Sequence, residues 1–421
     1  MRAESDDHKK RAKSTKSNSF SAERQEPDSK ERPPYNVPIG YLRAFVTLLV
    51  LAHHAVLAYH PVPMTPPTSL LAEPRWWQAF PVLDAQRSTA VALFVGWNDA
   101  FFMALMFFLS GLFVPASLDR KGVRSFLGGR LRRLGLPFIA VAVIVTPLAY
   151  YPTYLGTTSP EGISGYANDW LSLGQWPAGP AWFLWMLLVF GAAAAGLFAL
   201  RPGWVSSLER PLSTVMARPM RSFGALVALS ALVYLPMTFV VDPLLHWTTF
   251  GPFSFQTSRF VHYALYFFAG VVVGARGLER DLLATEGPLS RRWLVWVGVG
   301  ILAYAFDAAS TLAVFAEGAG MAEYVAANVG FVLSCAASSF AVLALFLRFA
   351  RTARRVFDSL RDNAYGMYLV HYAFVSWLQY AVLDLALPAL GKAAAVIAAT
   401  VVLSWATTAA LRRVPAVRRV I

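Results

Sequence analysis

The sequence predicts an all-α protein, a polytopic membrane helix bundle of about ten transmembrane helices. Three observations predict it. Of 421 residues, 57% are hydrophobic and 14% charged, with mean hydropathy +0.49, whereas about a quarter of a soluble domain is charged. Some ten apolar stretches approach the roughly 20 residues that a helix needs to cross a hydrocarbon core. Lys and Arg gather in alternate loops, the pattern that orients membrane helices.

Residues 1–37 are polar and charged, with a basic run from His8 to Lys16 and then Pro33 and Pro34. Too little apolar surface is available there to offset the entropy of ordering, so a disordered basic cytoplasmic tail is expected. Such a tail can touch anionic membrane lipids. No apolar stretch precedes residue 38, so no cleavable signal peptide is expected. The expected spans are 38–60, 95–117, 134–155, 181–200, 221–241, 258–275, 293–314, 323–347, 363–383 and 389–411, which make 38–412 the membrane domain and 413–421 a short basic cytoplasmic tail.

The connecting loops test that count. Arg120, Lys121, Arg124, Arg130, Arg132 and Arg133 fall between spans two and three, and Arg201, Arg210 and Arg218 two loops later. Arg276, Arg280, Arg291 and Arg292 follow, then Arg348 to Arg361, then Arg412 to Arg419. The intervening loops are nearly bare of Lys and Arg and carry Glu161, Asp169, Asp242, Glu317 and Asp384. A missed helix would scramble this alternation. Both termini are therefore expected in the cytoplasm, with the chain in the cytoplasmic (inner) membrane. The formal net charge of +13 reads as this topological signature rather than as a nucleic-acid surface. The two longest outer loops, 61–94 and 156–180, carry Trp76, Trp77, Trp170 and Trp176, which suit either sugar rings or the membrane interface.

Ionisable groups inside spans are costly and mark functional sites. In the first span, ten residues separate Arg43 from His54. Eleven steps of 100° are three turns plus 20°, so both lie on one helix face, about 16 Å apart along the axis. Arg43 at the inner end can bind phosphate through its guanidinium fork or snorkel to lipid. His54 in the outer half can act as general base on an acceptor hydroxyl or bond a neighbouring helix. His53, about 100° around the helix, and His60, at the outer boundary, are rivals. Asp99, His262 and Asp307 fall at similar depth, and Asp99 or Asp307 could orient the imidazole as a carboxylate partner. His371 lies near mid-membrane. The single cysteine, Cys335, rules out an internal disulfide framework. No metal-binding His-Glu-x-x-His or phosphate-binding glycine loop appears, so no metal or permanently bound cofactor is expected.

These residues fall in motifs that resemble the acyltransferase 3 family of multi-pass membrane acyltransferases. Arg43 and His54 match its arginine, ten residues, histidine pattern. Phe107-Phe108-Leu109-Ser110-Gly111 matches its Phe-Phe-x-x-Ser-Gly. Arg130-Leu131-Arg132-Arg133 is similar to its Arg-x-x-Arg. Trp182-Phe183-Leu184 is similar to its Trp-Phe-Leu branch, which includes glucan-succinylating proteins. Tyr365-Gly366-Met367-Tyr368-Leu369-Val370-His371 is similar to its Tyr-Gly-x-Tyr-x-x-His. The polysaccharide O-acetylating pattern Trp-Ser-Leu-x-x-Glu is not met at Trp182. The resemblance implies a catalytic His54 and an essential Arg43. It also implies an acyl-CoA-type co-substrate entering from the cytoplasm and a hydroxyl acceptor, often carbohydrate.

On this reading His54, Asp99 and Asp307 are catalytic candidates. Arg43, Arg130, Arg133 and Ser110 bind the donor, though Ser110 also suits helix packing. Tyr365, His371, His262 and Trp182 bind substrate or support the site. A membrane transporter or flippase of a glycan or lipid precursor would share the topology without the chemistry.

Overall fold

The computed structural model describes residues 36–62, 64–241 and 246–421, the side chains of Glu209 and Arg210 excepted. The expected N-terminal tail lies outside the described residues up to Tyr35. The chain becomes helical at Val37, where the Asn36 side chain accepts from the Ile39 amide and Pro38 stands in the first turn, a favoured N-terminus.

In chain order the helices are α1 (Val37–Val56), α2 (Thr89–Gly111) and a broken run α3 (Val114–Leu155). The short α4 (Gly162–Ser172) precedes α5 (Trp182–Leu200), α6 (Trp204–Met216) and α7 (Pro219–Thr238). A hairpin of β1 (Trp247–Phe250) and β2 (Phe253–Gln256), paired antiparallel with Trp247 opposite Gln256, leads into α8 (Phe260–Ala275). Then come α9 (Trp293–Val314), α10 (Met321–Phe349), α11 (Arg355–Ala381) and α12 (Ala389–Leu411). The fold is an all-α polytopic bundle. Among the described residues, nine helices are long and apolar enough to cross a membrane. The tenth expected span, 363–383, falls on α11 except for its last two residues, and α11 does not qualify by composition. The reason is chemical: α11 spends its buried face on Tyr368, His371, Tyr372, Ser376 and Gln379.

Two ends of the bundle are tied by separate bond sets. At the Arg-rich end, Asn36 Nδ2 donates to Leu278 O (3.0 Å), Tyr41 OH to Asp358 (2.9 Å) and Arg412 to Asp362 O (2.6 Å). At the opposite end, Tyr150 OH donates to Gln78 O and Thr153 Oγ1 to Pro81 O, each at 2.7 Å. There the Asp84 amide donates to Ala58 O, and the Asp84 carboxylate meets Lys392 Nζ at 2.8 Å with both side chains 2% exposed. The long loop after α1 is thus clamped onto α12. Of the outer-loop tryptophans, Trp76 is exposed. Trp77 and Trp170 are buried in a cluster with Tyr150, Tyr154, Tyr166 and Tyr372.

Two packing devices position the site. Helices α2 and α8 approach until a Cβ on Gly111 would lie 2.1 Å from Phe267 O, and one on Gly270 2.1 Å from Phe108 O. Only hydrogen fits, as at small-residue crossings in membranes. In α3, π-helical turns at Leu131–Gly135 and Val141–Val145 adjoin Pro137 and Pro147. Proline supplies no N–H. Side chains take the carbonyls left over: the Tyr365 hydroxyl donates to Arg133 O, and Trp176 Nε1 to Ala142 O at 2.7 Å. The broken helix is therefore the docking place of α11 and of the outer loop.

Candidate functional site

The α1 register sets the site. Asn98 Nδ2 on α2 donates to Leu49 O (3.0 Å). Gln379 Nε2 on α11 donates to His54 O (2.9 Å) and Ala55 O (3.0 Å). These bonds hold the last turns of α1 between two neighbours. His54 Nδ1 lies 2.8 Å from Val50 O and 3.3 Å from His371 Nε2. His371 Nδ1 lies 2.6 Å from Tyr368 O. A carbonyl only accepts, so each Nδ1 carries its proton. His54 Nδ1–H is then shared between Val50 O and the lone pair of His371 Nε2. The remaining nitrogen, His54 Nε2, is left with its lone pair free for chemistry. His371 is fully buried and His54 half-buried, so the inner ring supports and the outer ring is reachable. Tyr372 stands edge-on to His54, with centroids 5.3 Å apart.

The expected carboxylate partners lie elsewhere. Asp99 pairs with Arg259 (2.8 Å). Helix α2 starts at Thr89, six residues before the expected span, so Asp99 sits ten residues in rather than at its outer end. Asp307 is 7% exposed on α9, against Gly330 of α10. The orienting groups on His54 are a backbone carbonyl and a second histidine. His262 also faces away, with Nε2 3.5 Å from Cys335 Sγ and its ring against Tyr234 and Phe331. His53 stacks on Phe102 (5.1 Å) and meets His54 edge-on (5.4 Å). His60, outside the spans, lies near Phe80, and burial lowers its pKa below the usual histidine value.

At the Arg-rich end, the charges acting on Arg130 are those of Arg43 and Arg133, with Tyr365 beside them. Arg43 lies over the Phe113 ring (5.4 Å) and Arg130 over Phe126 (5.1 Å). Arg43 and Arg133 are exposed and Arg130 is half-buried. Three converging guanidiniums repel one another and suit a multiply charged anion. The Ser110 hydroxyl donates to Met106 O (2.8 Å) within α2. Trp182 is half-buried and stacks on Tyr263 (5.8 Å, 25°), with Phe107 and Trp247 at its edges. Among the described residues, no group of three or more His, Cys, Asp or Glu could hold a metal ion. Sequence reasoning undervalued Arg259 and passed over Tyr372. The signal for Arg259 was its place as a guanidinium at a span edge in an otherwise Arg-poor loop.

A family model described as an acyltransferase domain, acyltransferase 3, matches residues 37–409. The chain belongs to the acyltransferase 3 family. The chain is also similar to NADH-ubiquinone oxidoreductase chain 5 of Acanthamoeba castellanii, 28% identical over 128 residues, 30% of this chain. It spans only 18% of that relative's length, and the likeness assigns no activity here. No solved structure matches the chain.

Proposed function

We propose that this acyltransferase moves an acyl group from a cytoplasmic acyl-CoA-type donor to a hydroxyl of an extracytoplasmic acceptor, carbohydrate or another envelope molecule. The observation that supports this most is the His54–His371 pair, which leaves one reachable imidazole nitrogen unprotonated inside a lipid-solvated bundle. His54 Nε2 takes the acceptor's hydroxyl proton as that oxygen attacks the thioester carbonyl. The C–O bond forms, the C–S bond breaks, and the departing thiolate takes the proton back from His54. The products are an ester and a free thiol, so protons and electrons balance without a cofactor. His371 Nε2 accepts from Nδ1–H throughout and stabilises the imidazolium, as a carboxylate does in other dyads.

Arg43, Arg130 and Arg133 hold the donor's phosphates at the cytoplasmic mouth, with Tyr365 bracing Arg133 from α11. The slim thioester arm runs along the Arg43–His54 face of α1, about 16 Å. Both termini lie in the cytoplasm and the membrane is the inner one, since the Arg-rich end is the one that positive charge retains inside.

The test is thioester consumption by purified protein in lipid across a panel of acyl-CoAs and envelope acceptors, with His54→Ala alongside. The native chain consumes donor, and His54→Ala is slower by at least about 100-fold. Acceptor or lipid movement without donor consumption, unaffected by His54→Ala, would instead show a transporter.

A further inference from the structure

Three arginines outside the proposed donor mouth gather round one pocket at the Arg-rich end. Arg412, Arg413 and Arg418 line a cavity of 430 Å³ together with Asn363, Ala409 and Pro415, a size that suits a small ligand. Helix α12 ends at Leu411, and a single helical turn at Pro415–Arg418 follows. That turn carries Arg418 round to the arginines at the end of α12. The floor of the pocket is fixed. Arg412 Nη1 donates to Asp362 O (2.6 Å) and to Asn363 Oδ1 (3.2 Å), and Asn363 Nδ2 donates to Ser359 O (2.8 Å). One turn deeper, α11 and α12 close where a Cβ on Gly366 would run into the Thr408 side chain.

The positive charge of this pocket is not met by its own lining. The oxygens that accept from Arg412 belong to a peptide carbonyl and a side-chain amide, neither of which is anionic. No carboxylate is among the lining residues. Asp358 and Asp362, on the adjoining turns of α11, both pair with Arg361, at 2.8 and 2.7 Å. The end of α12 contributes about half a negative charge against the three guanidinium charges. A ligand carrying about two negative charges closes that gap. Membrane topology asks only that arginines lie at this end. It does not ask that they surround one cavity while the nearby acids are taken by another arginine.

The approach to the pocket is apolar and faces lipid. Val402, Trp405, Ala409, Arg412 and Arg413 follow at helical spacing on one face of α12. On that face Val402 is 61% and Trp405 38% exposed. The stripe therefore runs from hydrocarbon into a cationic pocket, which is the course of a phospholipid from tail to head. A free anion needs no such stripe. Basic pockets between membrane helices suit phospholipid heads.

We propose that this pocket binds the head of a membrane phospholipid that carries two phosphates, in the leaflet at the Arg-rich end. Its phosphates take Arg412, Arg413 and Arg418 through charge-assisted bonds, and its tails lie along Val402 and Trp405. The bound head joins the end of α12 to Asn363 of α11, two residues ahead of Tyr365. The inference is independent of the acyl-transfer chemistry.

The experiment measures binding to the purified, delipidated full chain in uncharged detergent, by native mass spectrometry and by the shift in melting temperature. The probes are cardiolipin with two phosphates, phosphatidylglycerol with one, phosphatidylcholine without net charge, and inorganic pyrophosphate as a free diphosphate. Cardiolipin is expected to bind about tenfold or more tighter than phosphatidylglycerol and to raise the melting temperature, with the other two probes weaker still. Arg413→Gln combined with Arg418→Gln lowers cardiolipin affinity about tenfold or more. The charge-matched pair Arg291→Gln and Arg292→Gln, exposed at the same end, leaves it near native. Ala409→Trp keeps every charge, fills the cavity and also lowers the affinity. Equal binding of cardiolipin and phosphatidylglycerol, pyrophosphate binding as tight as cardiolipin, or equal losses in the two arginine pairs overturns the proposal. The four probes on the native chain decide the matter even where a variant fails to fold.

Discussion

His54 and His371 form a hydrogen-bonded pair in which, under the proposed mechanism, one ring works and the other holds it. The division follows from two backbone carbonyls. Each occupies an Nδ1 and so dictates which nitrogen keeps a lone pair. Removing His371 leaves His54 Nδ1–H to Val50 O alone, and the ring can turn. His371→Ala is expected to lower kcat by about 10- to 100-fold, since a misplaced catalytic group costs that much. Donor KM stays near native, because the arginine mouth is untouched. Single-turnover kinetics with saturating donor checks this; an unchanged kcat would remove His371 from the mechanism.

At the scale of elements, the site depends on helices that cross without side chains between them. Gly270 meets the Phe108 carbonyl where a Cβ would lie 2.1 Å away. Gly270→Ala is expected to force α2 and α8 apart at a cost of about 1–3 kcal/mol, read as a lower melting temperature in detergent. The clamp at the outer end behaves differently. Lys392 and Asp84 are a buried pair, and Lys392 also donates to Leu383 O (2.7 Å). Lys392→Met alone strands a buried carboxylate and is expected to cost about 3–5 kcal/mol. Adding Asp84→Asn recovers part of that loss, and the double-mutant cycle measures the coupling.

For the whole molecule, the positive charge at one end is a statement about direction. Reporter fusions at the Gly122 break of α3 and within the Arg280 loop are expected to report the cytoplasm, and fusions within 61–88 and 156–178 the outer side. A fusion at Gly122 reporting the outer side would invert the route assigned to the donor. Burial also goes with the polarity that keeps α11 from passing as a span by composition: it buries Tyr368, His371, Tyr372, Ser376 and Gln379 among its neighbours, while α7, α9 and α12 are largely exposed on the bundle's outside.

Much of the fold was legible in the chain. Apolar stretches and Arg placement located most helices within a few residues, because lipid solvation demands length and apolarity from any span, but α2 begins at Thr89, α3 at Val114 and α11 at Arg355, well before the expected 95, 134 and 363. The helical repeat placed Arg43 and His54 on one face of one helix, since that relation is internal to a single element. Which group stands beside His54 was not legible. Asp99 and Asp307 share its approximate depth, yet Asp99 is turned toward Arg259 and Asp307 packs on α10, while His371 reaches the ring. Depth follows from position along a span. Neighbours follow from the rotation and adjacency of helices, and apolar faces offer many equivalent packings in lipid. Glycine contacts, proline-freed carbonyls and buried polar bonds select one of them, and those contacts exist only once the bundle has assembled.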